Sequence, residues 1–249
     1  LFPVLSGIAT LLVLATFALP MLFARVFEYG LMPFNLIVGF LFYLCQYAVI
    51  FFFNSALVGA ALIRLRGGSP SFSEGIAVAR QPIGPILGYA AIAATVGMLL
   101  KMKGKRSGFA ADMIRSVAGM AWTLSTFLVV PVLVSRKLGP IEAIKESALL
   151  LKKTWGENLI GTAVLWLGFG IISFVYVLVS LALVFGAASF STGLATALAI
   201  LLALGLVLLG ILKSAISAIY AAVLYRYAAD GQAPDGFDAQ QLELAFGRK

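Results

Sequence analysis

Six stretches of this chain, residues 2–24, 32–63, 83–100, 113–135, 158–186 and 193–227, are apolar and nearly free of charge. A helix rises 1.5 Å per residue, so about 20 residues cross the hydrocarbon core of a bilayer, and each stretch meets that requirement. The rest of the sequence cannot offset them. Of 249 residues, 62% are apolar and 11% charged, against roughly 45–50% and 25% in a soluble domain. A water-facing surface could not be covered, so the solvent of this chain is lipid. Within hydrocarbon every backbone N–H and C=O must be satisfied internally. The expected fold class is therefore all-α: a polytopic membrane protein of six transmembrane helices. The second and sixth stretches exceed one perpendicular crossing and must tilt, kink or project. Pro131, late in the fourth, should kink it.

The chain has no His and a single Cys, Cys45. That removes most metal sites, all His-dependent nucleophilic arrangements and any intrachain disulfide, so no cofactor and no enzyme activity are expected. A net charge of +8 would suggest nucleic acid in a soluble protein. Here the basic residues cluster at the ends of the apolar runs, as expected for topology signals and contacts to anionic head groups, and no nucleic-acid partner is expected. Eleven Lys and Arg, including Arg64, Arg136, Lys137 and Arg226, fall on one side of the bilayer and six on the other. That excess predicts both termini in the cytoplasm, with the Lys101 to Arg106 cluster opposing it.

The ends of the even-numbered runs resemble one another. NSALVGAALIRLRGGSPSF, STFLVVPVLVSRKLGPIEA and SAISAIYAAVLYRYAADGQAPDGF align on Arg64, Arg136 and Arg226. Each begins with a small polar cluster: Asn54 with Ser55, Ser125 with Thr126, and Ser217. The unit reads as an amphipathic helix plus two spans, used about three times. Within IEAIKESALLLKKTW, Ile141, Ile144, Ala148, Leu151 and Trp155 recur at helical spacing and predict an interface helix resting on its apolar face. FSEGIAVAR is a weaker copy, and FDAQQLELAF in the tail a third. One membrane domain over 1–229 is expected, followed by a short cytoplasmic tail, 230–249. The chain opens at Leu1, already inside an apolar run, so preceding residues are expected to be missing.

FPVLSGIATLLVLATFALP, FFFNSALVGAAL and AWTLSTFLVVPVLVSRKLGPIEAIKESALLLKKTWGENL resemble an uncharacterised prokaryotic family of six-span membrane proteins. The most specific portion is Pro140 with Glu142, Ala143, Ser147 and the run from Lys153 to Gly156. The layout is also similar to the membrane domain of bacterial glycerophosphodiester phosphodiesterases. The resemblance implies a multi-pass protein of a prokaryotic inner or plasma membrane and carries over no catalytic residue.

Candidate chemistry is sparse. Lys213 is the one charge well inside a run, and it either snorkels to the interface or meets an anion. Asn54, Ser55, Ser125, Thr126 and Ser217, with Gln46, Trp122, Thr123 and Ser214, either bond between helices or line a polar interior. Gly84 and Gly88 form a GxxxG suited to close packing. The expected function is a non-catalytic scaffold or accessory subunit, with membrane lipids and a membrane protein or a second copy as partners. The alternative is a transporter or channel subunit for a small or amphipathic solute.

Overall fold

The computed structural model describes residues 1–23, 32–101, 109–153 and 155–230; the predicted tail helix lies outside them. The described residues are helical, without a strand. In chain order the helices are α1 Phe2–Phe23, α2 Met32–Leu65, α3 Phe72–Arg80, α4 Ile83–Lys101, α5 Phe109–Ser125, α6 Val129–Ser135, α7 Pro140–Lys153, α8 Trp155–Ala188 and α9 Thr192–Asp230. Five stretches are long and apolar enough to cross a membrane: 36–65, 83–101, 111–135, 164–188 and 192–229. They coincide with the second to sixth apolar runs. In α1 the stretch available for that test, Phe2–Phe17, is shorter than a crossing.

Local chemistry fixes the ends that turn at the bundle surface. Gly67, with φ of 84°, ends α2 in the left-handed region that favours glycine. The Gly68 N–H donates to Ile63 C=O and the Gly67 N–H to Arg64 C=O, which ties off the last carbonyls as a Schellman turn. α3 then begins with a capping box: Ser71 Oγ accepts from the Glu74 N–H, and the Ser71 N–H donates to the Glu74 carboxylate at 2.6 Å. Those backbone and side-chain bonds from Ser71 hold the Glu74 carboxyl below the usual carboxylate range.

α3 lies tightly on α2 because two glycines permit it. A Cβ at Gly75 would stand 3.0 Å from the Ala56 carbonyl oxygen and 2.5 Å from Phe2 Cζ, and one at Gly59 would stand 2.6 Å from Val78. Phe2 also stacks on Phe72, with ring centroids 4.9 Å apart, so the start of the described chain is pinned beside α3.

The main core is built where α2, α6 and α9 meet. Val58 and Leu62 of α2, Val129, Val132 and Leu133 of α6, and Ala218, Ala222 and Leu224 of α9 are buried in one cluster. These residues belong to the three segments that align in the sequence. Leu65, Leu138 and Ala229 pack against the same cluster, so the exits from α2 and α6 and the end of α9 share one end of the bundle. α8 packs chiefly against α9, forming a long hairpin.

α7 places the expected stripe only in part. It packs against α4, α5, α6 and α9, and its buried face is Ala143, Ser147, Leu150 and Leu151, with Ile144 against the core. Ile141, expected on that face, is 55% exposed. The small residues Ala143 and Ser147 let α7 approach closely and share the packed face with Ile144 and Leu151 of the stripe. Trp155 opens α8, and its side chain lies outside the described residues.

Of the GxxxG pair, Gly88 meets the Pro140 ring, 2.9 Å from where a Cβ would sit, whereas Gly84 faces open space. Gly88→Leu should therefore destabilise the protein by about 1–3 kcal/mol through overpacking, and Gly84→Leu by less than about 0.5 kcal/mol. Thermal unfolding in detergent measures both; equal losses would mean that α7 does not seat on α4.

Candidate functional site

The fourth apolar run is broken. α5 stops at Ser125 and α6 starts at Val129, two residues before Pro131. Proline has no N–H and its ring clashes with the carbonyl four residues back, so a continuous helix is costly at this point. The turn is closed by the Phe127 N–H donating to Leu124 C=O at 3.2 Å and the Val129 N–H to Thr126 C=O at 3.1 Å. The Leu128 N–H is diverted out of the helix. It donates to Ser147 Oγ of α7 at 3.1 Å, and both residues are fully buried. An unpaired N–H at this depth would cost about 1–3 kcal/mol, and Ser147 removes that cost.

Beside the break lies a cavity of about 350 Å³. α2 contributes Phe51, Asn54 and Val58, one helical face, and α4 contributes Tyr89. The break contributes Thr123, Thr126, Phe127, Val130 and Pro131, and α9 contributes Ser214, Ser217, Ala218 and Ala221. No charged side chain lines it among the described residues. Tyr89 is buried and stacks on Phe51 with centroids 4.5 Å apart, and its hydroxyl interacts with the Thr126 side chain. Thr126 Oγ1 in turn donates to Trp122 C=O at 2.8 Å, and Thr123 Oγ1 to Gly119 C=O at 2.9 Å. The threonine protons are thus engaged with their own helix, which leaves oxygen lone pairs available to the cavity. Val58, Tyr89, Pro131 and Ala221 form a buried floor, while Thr123 and Ser214 are exposed at the mouth, between α5 and α9.

Three of the six intramembrane residues singled out in the sequence meet here: Asn54, Thr126 and Ser217. Ser55, one position round α2, is fully buried outside the lining, and Ser125 is half-buried and also outside it. Lys213 is elsewhere. Its Nζ lies 4.0 Å above the Trp166 ring of α8, a cation–π contact that neither the snorkelling nor the anion expectation contained. Tyr89 and Ser147 were missed. Tyr89 sits in an odd-numbered run with no polar neighbour to mark it. Ser147 carried a signal as the polar residue inside an apolar helix face.

A model for a family of unknown function, DUF6159, matches residues 34–236. The chain belongs to that family. The DUF6159 match runs from the start of α2 past the end of α9, so it contains every cavity residue and the Leu128–Ser147 bond. It provides no link to the membrane domains of glycerophosphodiester phosphodiesterases. No curated protein and no solved structure matches the chain.

Ser147→Ala should lower stability by about 1–3 kcal/mol by orphaning the Leu128 N–H. Lys145→Ala, on the exposed side of the same helix, should change it by less than about 0.5 kcal/mol. Thermal melts of the two variants in lipid nanodiscs check this, and an unaffected Ser147→Ala would show that the break does not depend on α7.

Proposed function

We propose that this chain is a six-span, non-catalytic membrane protein that holds an amphipathic, uncharged-headed lipid or solute in the cavity beside the α5–α6 break, as an accessory or scaffold of a membrane assembly. The observation that carries the reading is the convergence of Asn54, Thr126 and Ser217, from three separate spans, on one cavity. An ionised head group would be taken from water or the interface into a site with no counter-charge, at a cost of several kcal/mol. A hydroxyl, ether or amide head would instead find acceptors and donors on Asn54 and the Thr and Ser side chains. The mouth between α5 and α9 favours entry from the side.

The repeat supports the same reading. Short helices α3 and α7 each precede two long segments, and one polar residue from each of the three aligned clusters, Asn54, Thr126 and Ser217, lines the cavity. We infer six crossings with both termini in the cytoplasm of a prokaryotic plasma membrane; the basic-residue excess and the shared end of the three exits support that topology. A transport role is the second reading. It is favoured by the broken helix, since irregular backbone at membrane depth is tolerated where it borders a cavity.

Mass spectrometry of lipids and solutes retained through mild purification tests the proposal. The wild type should retain a neutral-headed amphipathic molecule. The double variant Asn54→Leu with Ser217→Val should retain about ten-fold less of it, with an unchanged melting temperature. Lys213→Leu, which leaves the cavity wall intact, should retain it fully. An identical retained set in the double variant would refute the cavity as the binding site.

A further inference from the structure

A second concavity, separate from the cavity above, opens at the end of the bundle where α2 and α6 exit. It is a cleft of about 420 Å³ between the α3–α4 turn and the link from α6 into α7, within the roughly 300–1,000 Å³ typical of small-molecule sites. Its floor is apolar, with Pro85 and Leu133, and its rim is polar, with Gln81, Arg136 and Lys137. The apolar segment containing α6 ends at Ser135 and that of α4 begins at Ile83. Leu133 and Pro85 therefore lie two residues inside their spans, and Gln81, Arg136 and Lys137 within two residues outside them. The cleft straddles the level where hydrocarbon gives way to head groups.

Arg136 is oriented by its surroundings. Burial opposes its charge, but the Tyr225 hydroxyl and the Glu146 carboxylate outweigh that and raise its pKa above the ordinary value. Its Nη1 donates to Glu146, and a guanidinium carries five N–H groups in a fixed fork, so donors remain for a second anion. Lys137, next in sequence, is exposed at the rim, and Arg80, also exposed, immediately precedes Gln81. Two carboxylates are nearby: Glu146, engaged by Arg136, and Glu142, which lies against Gly139 at the cleft's edge. Three cations against two acids leave the rim basic.

We infer that this cleft seats the phosphate of an anionic phospholipid, with Arg136, Lys137 and Gln81 donating to the phosphate oxygens and the start of the acyl chains lying over Leu133 and Pro85. A free phosphate shares the head-group chemistry but has no use for the apolar floor. The pairing of a basic rim with an apolar floor at interface depth is what selects the lipid.

The test reconstitutes the protein in phosphatidylcholine nanodiscs and titrates either phosphatidylglycerol or inorganic phosphate, reading melting temperature and, by native mass spectrometry, retained lipid. Phosphatidylglycerol should stabilise and be retained where phosphatidylcholine and inorganic phosphate have no such effect. Lys137→Gln, a change at an exposed position, should weaken that retention about ten-fold. Lys152→Gln with Lys153→Gln, which removes two exposed cations of α7 outside the cleft, should leave it intact. Equal loss in the Lys152 and Lys153 variant would make the effect one of diffuse surface charge. Equal protection by inorganic phosphate would make the site one for a soluble anion. Either result, or no preference for phosphatidylglycerol, overturns the inference.

Discussion

A backbone N–H inside a bilayer must find an acceptor in the protein, because no water is present to take its place. The Leu128 N–H loses its helical acceptor at the α5–α6 break and recovers one in Ser147 Oγ. Much of the structure depends on that replacement. The break frees α6 from the line of α5, so α6 can insert between α2 and α9 and supply Val129, Val132 and Leu133 to the core. It also fixes one face of α7 against the bundle, since the acceptor has to come from a helix held within hydrogen-bonding distance. Ser147 is small enough for that approach, and Ala143 one turn earlier adds no bulk against it.

The same displacement creates the cavity. With the break, Thr123 and Thr126 stand on one wall while Asn54 and Ser217 approach from α2 and α9. Val58, Pro131 and Ala221 close the floor together with Tyr89, and the Thr123 and Ser214 hydroxyls stand at the mouth. Lys213 is kept out of this arrangement by its position on α9. Ser214 and Ser217 turn to the cavity, and Lys213 turns to α8, where the Trp166 face offers its ammonium a partner that needs no acid.

The common end of α2, α6 and α9 is organised by a different kind of contact. Hydrogen-bonded caps at Gly67 and Ser71, the glycine contact between α3 and α2, and Arg136 tied to Glu146 and Tyr225 hold the exits together. These contacts are polar or steric because hydropathy alone cannot discriminate at the boundary between lipid and water.

The amino-acid sequence determined the helical class, the approximate limits of five stretches long and apolar enough to cross a membrane, and a departure from straight helix at Pro131, expected as a kink and found as a break. These follow from backbone satisfaction and helix rise, which depend on composition and length rather than on neighbours. It also marked Asn54, Thr126 and Ser217 as equivalent, because each stands nine or ten residues before an aligned Arg. Tertiary structure alone decided which face of α7 is buried, that Ser55 and Ser125 stay out of the cavity, that Tyr89 enters it, and that Lys213 meets Trp166. The physical reason is common to all four. Outside a membrane helix lies lipid as apolar as the protein core, so periodicity does not reveal which side faces inward. Size, shape and hydrogen-bond reach make that choice once the helices are in contact.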